Sequence, residues 1–160
     1  MKQTSKTTKY TYFLGLFTFL SCINFYLSNL ITHKLLHGWH FANPIFRLIY
    51  VENTGAAFSI LKDSTTFLIV ISLIILFMGF FIVARNIENI PFKDFFFLSI
   101  LSAGILGNLA ERLVFGHVRD FIELTFVNFP IFNIADIFIN IGVIGIIVLI
   151  LQSKKPIKLL

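Results

Sequence analysis

The chain has 160 residues, of which 57% are hydrophobic and 13% charged, with a mean hydropathy of +0.88. Soluble domains carry about 25% charged residues, and a core this small could not hide so much apolar surface, so the composition excludes a soluble domain and indicates one integral membrane domain over 1–160. The net charge of +5 lies in short segments between apolar runs, which argues against a nucleic-acid binder, and the single cysteine allows neither an internal disulfide nor a cysteine-based zinc site.

A helix needs about 20 residues to cross the hydrocarbon core, and four segments qualify. Helix one is predicted over 10–31. Its Lys-rich start and the FLSC ending at Cys22 imitate a lipoprotein signal peptide. Phe19 fits poorly at position minus three, however, and the apolar run continues, so the segment is read as a retained helix with an inert Cys22 deep within it. The segment 33–65 follows, where FRLIYVENTGAAFSI mixes β-branched and aromatic residues with an Asn-Thr-Gly turn signal and predicts a short sheet or hairpin. Pro44 ends any helix begun near His33. His33, His37 and His40 have spacing that can bind zinc; beside Trp39 at a membrane edge they are read as interfacial anchors, and no metal is assigned. Helix two is predicted over 66–84 and helix three over 95–113. The segment 114–131 leads to helix four over 132–151. The 21 phenylalanines are read as lipid-facing bulk.

The bases orient the spans. Lys2, Lys6, Lys9, Arg85, Lys93, Lys154, Lys155 and Lys158 fall on one side, while Lys34, Arg47, Lys62, Arg112 and Arg119 fall on the other over more residues. Both termini and the 85–94 loop are therefore expected in the cytoplasm, with 33–65 and 114–131 outside.

The acids carry the functional question. Asn133, Asp136 and Asn140 recur at i, i+3 and i+7, so they share one face of helix four. Lipid cannot satisfy that face, which must turn into the bundle or a wet cavity. Gly142 and Gly145 allow close helix approach. Gly104, Asn108, Glu111 and Arg112 fall on one side of the outer half of helix three, and Asp120 follows in GHVRDF, where the chain can fold back over helix four. Two converging carboxylates share one proton. The ionised member can activate water and the protonated member can hydrogen-bond a peptide carbonyl, with no metal and no Ser or Cys nucleophile. The same residues could instead pair with Arg112 and Arg119 as a scaffold, or serve a small ion-coupled transporter. A transporter needs polar residues along a whole path, whereas here they gather in the outer halves of helices three and four and helix two offers only Ser72.

NTGAAFS (53–59), GNLAERLVFGHVRDF (107–121) and FNIADIFINIG (132–142) resemble, in order, the signature blocks of lipoprotein signal peptidase, also called signal peptidase II. The resemblance covers about three-quarters of the chain. It implies an all-α membrane protein with four transmembrane helices and a small extracytoplasmic β-containing segment. It also implies an aspartic endopeptidase of the bacterial inner membrane that removes the signal peptide of a diacylglyceryl-modified prolipoprotein, cutting before the lipidated cysteine at the outer leaflet. By that resemblance Asp120 and Asp136 are the catalytic pair, and Asn53, Gly55, Asn108, Arg112 and Asn133 line and orient the site. No cofactor is implied; the expected partners are the prolipoprotein and membrane lipid, and the expected state is a monomer. The chain departs from the family pattern twice. Glu111 stands where the family shows Asp, and helix one lacks the family's Asp followed by Lys, leaving Asn24 or Asn29 as the available substitutes.

Overall fold

The computed structural model describes residues 5–55, 61 and 63–152. Residues 56–59 of the NTGAAFS block, Lys2, Lys62 and the lysines at 154, 155 and 158 lie outside them. Four helices are long and apolar enough to cross a membrane: α1 (Lys6–Leu36), α2 (Thr65–Asn86), α3 (Asp94–Phe115) and α4 (Ile134–Gln152). Three strands join them: β1 (Phe41–Ala42), β2 (Phe46–Asn53) and β3 (Val118–Leu124).

All four predicted helices are found, and α1 extends further than expected at both ends. Ser5 caps it, its Oγ accepting from the Thr8 N–H at 3.1 Å. At 1.5 Å per residue its 31 residues run roughly 46 Å, well beyond a ~30 Å hydrocarbon core. Its buried face reads Lys9, Phe13, Ser21, Asn24, Ser28, Thr32, mostly a helical stripe of small polar residues turned into the bundle. Cys22, by contrast, lies on the exposed surface of α1, midway along the helix.

α3 is the central helix and packs against α1, α2 and α4. Its contact with α4 is close because glycines line both sides: a Cβ at Gly142 would meet the Leu101 backbone, and one at Gly145 would meet the Phe97 ring. At the end away from the sheet, Phe13, Val83, Ile87 and Phe95 form an apolar cluster. Phe13, Phe95 and Phe121 are among the most buried side chains, so the phenylalanines build core as well as lipid-facing surface. Above this cluster the Lys9 ammonium donates to the carbonyls of Ile87, Glu88 and Ile90 at 2.7–2.9 Å. These three bonds tie the start of α1 to the turn between α2 and α3, and they compensate the burial of a charge.

The sheet is antiparallel with order β1-β2-β3. The expected hairpin exists, but its turn is Asn43-Pro44-Ile45, where Asn43 Oδ1 accepts from the N–H groups of Ile45 and Phe46 at 2.8 Å. Asn-Thr-Gly instead ends β2. The third strand lies in the predicted 114–131 connection, which carries no alternation strong enough to signal a strand. It forms because β2 supplies a paired edge, running from Phe46↔Leu124 to Asn53↔Val118 with a register shift between Leu48 and Val51. The chain then returns through Phe132, which exchanges backbone bonds with Ile122 at 2.8 and 3.1 Å. That return sets the start of α4 beside β3.

Candidate active site

The site forms where β3, the end of α3 and the start of α4 meet. Asn133 precedes α4 and closes a reciprocal box with its third helical residue. Its Oδ1 accepts from the Asp136 N–H, and Asp136 Oδ2 accepts from the Asn133 N–H, both at 3.0 Å. This Asn-x-x-Asp pair satisfies two otherwise orphaned donors at a helix start. It also puts the Asp136 carboxylate against the positive end of α4. Asp136 therefore sits in the first turn of its helix, near the sheet end of the bundle.

The same Asn133 bridges the two acids. Its Nδ2 donates to Asp120 Oδ1 at 2.9 Å and to Asn108 Oδ1 at 3.0 Å. Asn108 Nδ2 in turn donates to Asp136 Oδ1 at 2.8 Å, and Asn53 Nδ2 donates to Asp120 Oδ2 at 2.9 Å. Each of the four carboxylate oxygens thus accepts from an amide N–H. None meets a cation: the ion pairs among the described residues are Lys6–Glu88, Arg47–Glu123, His117–Glu52 and Arg119–Glu111. The scaffold alternative, in which each acid is neutralised by its own arginine, does not describe Asp120 and Asp136.

Asp120 is buried, and burial pushes its carboxyl up to about 7. The Asn53 hydrogen bond opposes the rise, the Asp136 charge adds to it, and Asn133 and Arg112 oppose it. Asp120 thus ionises near neutrality, with one asparagine, Asn133, between it and a second acid, which suits proton transfer. Asp136 and Asn108 are only half-buried, so the pair is open from one side.

Arg112 holds the loop rather than an acid. Its Nη2 donates to Gly55 O at 2.8 Å and its Nη1 to Asn108 O at 3.4 Å. The Gly55 N–H donates back to Asn53 Oδ1 at 2.9 Å, a local turn of the kind Asn favours. Asn53 and Gly55 are thereby fixed to α3. All seven residues expected at the site from the sequence, Asn53, Gly55, Asn108, Arg112, Asp120, Asn133 and Asp136, belong to this one network.

Two expectations fail. Asn140 shares the face of Asp136 but is exposed, and its amide folds back onto the Asp136 carbonyl at 2.9 Å; its own helix satisfies it, so it need not enter the bundle. Glu111 turns away from Arg112 and the site, because adjacent helical residues point about 100° apart, and it binds Arg119. Asn29 of α1 also holds Arg119, at 2.8 Å, while Asn24 packs beneath Gly107. Both asparagines of helix one are used, neither on the acid pair. The i, i+3, i+7, i+11 spacing of Ser21, Asn24, Ser28 and Thr32 could have marked the inward face of α1.

A family model described as Signal peptidase (SPase) II matches residues 16–152. The chain belongs to the signal peptidase II family. A lipoprotein signal peptidase of Gloeothece citriformis is 40% identical over 117 residues, 70% of this chain and 68% of the relative. One from Streptococcus thermophilus is 35% identical over 111 residues, 69% and 72% of the two chains. The fold is similar to that of a bacterial membrane enzyme solved by the in meso method at 2.3 Å resolution, with a TM-score of 0.77 and 29% identity over 91% of this chain and 94% of that one. As a signal peptidase II, the chain is a multi-pass membrane protease that removes signal peptides, and the transporter reading lapses.

Proposed function

We propose that Asp120 and Asp136 are the catalytic pair of this peptidase, with Asp120 holding the shared proton. Ionised Asp136 takes a proton from water as the water oxygen attacks the scissile carbonyl. Protonated Asp120 hydrogen-bonds the carbonyl oxygen as it gains charge. Collapse of the tetrahedral intermediate breaks the C–N bond, and the proton taken by Asp136 passes to the leaving amine. The observation that carries this reading is the Asn133 bridge, which joins two acids that no cation neutralises. Asn53, Gly55, Asn108, Arg112 and Asn133 keep the two carboxylates and the neighbouring loop in place.

The substrate in this reading is a diacylglyceryl-modified prolipoprotein, cut just before its lipidated cysteine. The signal segment lies in the membrane beside the bundle, and the acyl chains keep the cleavage point at the leaflet. The sheet end faces outward and both termini face the cytoplasm. Burial of Arg112 and Arg119 inside the fold supports that orientation, since it leaves fewer free bases on the outer side to compete in the charge rule. The chain acts as a monomer in contact with lipid.

Purified protein in detergent, given a diacylated prolipoprotein, should release a signal peptide ending immediately before the modified cysteine. The unmodified precursor should be cut far more slowly. Absence of cleavage would overturn the assignment, and equal rates on both precursors would remove the lipid requirement.

A pH profile tests the division of roles. Asp120 must be protonated, so kcat/KM should fall as pH rises through about 7. Asn53→Ala removes a donor that favours the ionised form, so the high-pH limb should move upward, by roughly one unit. A limb that stays in place or moves down in Asn53→Ala would assign it to another group.

A further inference from the structure

Arg119 precedes Asp120 in β3, and its side chain turns into the protein. Nε and Nη2 donate to the two carboxylate oxygens of Glu111, each at 2.5 Å, and Nη2 also donates to Asn29 Oδ1 at 2.8 Å. The guanidinium carbon lies 4.0 Å from the centre of the Phe115 ring. The Arg119 and Glu111 side chains are 10% and 7% exposed. One planar group therefore joins β3 to α3 and α1.

Stability alone is a weak reason for such a pair, because the desolvation of two buried charges offsets much of their attraction. Direction is a better one. A fork bonded through two nitrogens to two oxygens admits essentially one orientation. The β-ladder is less definite at this point: its register shifts between Leu48 and Val51, and Val51 is the residue opposite Asp120. A bulge beside a paired position loosens the register, and a slip of one residue turns every side chain to the other face. Neighbouring strand residues point to opposite faces. Holding Arg119 toward α1 and α3 therefore sends Asp120 the other way, toward Asn53 and Asn133.

We propose that the Glu111–Arg119 clamp is a positioning device that fixes the orientation of Asp120 for the peptidase reaction. It rests on the assignment of Asp120 as one of the catalytic acids. Neither clamp residue reaches the reacting atoms; each acts through the strand.

The test uses the full chain in detergent with diacylated prolipoprotein and two variants. The double substitution Glu111→Met with Arg119→Met removes both charges, so neither is left stranded in the interior. Arg119→Lys keeps the charge and loses the fork. Folding is followed by near-UV circular dichroism and gel filtration, and rates are expressed per folded molecule. The expected result is a ~10–100-fold loss in kcat with KM within about twofold, since small misplacements of a reacting group act on the chemical step. The high-pH limb of kcat/KM should move as well, which simple loss of folded protein cannot produce. Wild-type kcat and an unmoved limb in the variants, per folded molecule, would overturn the clamp. If the double variant fails to fold, Arg119→Lys decides the question on the same two readouts. A wild-type chain that cleaves beside variants of equal activity sinks only the clamp, whereas a wild-type chain that cannot cleave sinks the assignment of function and the clamp with it.

Discussion

Asp136→Asn and Asp120→Asn should each reduce signal-peptide release on the order of 10⁴-fold, with the four-helix fold retained. At position 136 an amide can neither take the proton of the attacking water nor return one to the leaving amine, and at position 120 its N–H is a far weaker acid than the carboxyl O–H that meets the carbonyl oxygen as it gains charge. The network adds a structural consequence. Each carboxylate accepts one N–H on each oxygen: from Asn133 and Asn53 at Asp120, and from Asn108 and Asn133 at Asp136. An asparagine has one acceptor oxygen, so one donor in each set would face another donor. Each variant should therefore also lose about 1–2 kcal/mol of stability, visible as a lower thermal midpoint in detergent. Near-wild-type turnover by either variant would exclude the paired-acid mechanism.

Gly104→Ala should have the next largest effect, although it lies away from the acids. A Cβ there would come within 2.6 Å of the Ala135 carbonyl oxygen and 2.9 Å of the Ile139 nitrogen. Both are backbone atoms and cannot rotate aside, so the first turn of α4 must shift away from α3. That turn carries Asp136. Overpacking of this kind costs about 1–3 kcal/mol, and a displacement approaching 1 Å in a reacting group costs on the order of 10²-fold in rate. Gly79→Ala is the matched control, since nothing lies within 4 Å of its added carbon. Steady-state cleavage and thermal midpoints should separate the two, and equal activity in both would show that α4 tolerates the displacement.

The parts of this site that could be read in advance depend on local spacing. Asn133 and Asp136 lie three residues apart at a helix start, and that interval alone puts them in capping reach. Asn108 and Arg112, four apart on α3, share a face, and both enter the network. Glu111 shows the limit of such reasoning. Its neighbour in sequence is Arg112, but its partner is Arg119, because β3 returns along the side of α3 that Arg112 does not face. β3 leaves no local mark in the sequence for the same reason. Its pairing with β2 joins Asn53 to Asp120 across 67 positions, and no local pattern records it.

The amino-acid order was enough to specify four apolar spans, because lipid leaves a helix as the simplest way to satisfy its own backbone, and to place the candidate acids just beyond helix three and at the start of helix four. Which acid meets which partner was a matter for the folded chain. β3 pairs with a distant strand, Phe132 returns to Ile122, and a buried arginine turns away from the site, so that one aspartate is left to amides while Glu111 takes the guanidinium. Such long-range closures follow from backbone pairing and packing between remote segments, for which residue spacing holds no record.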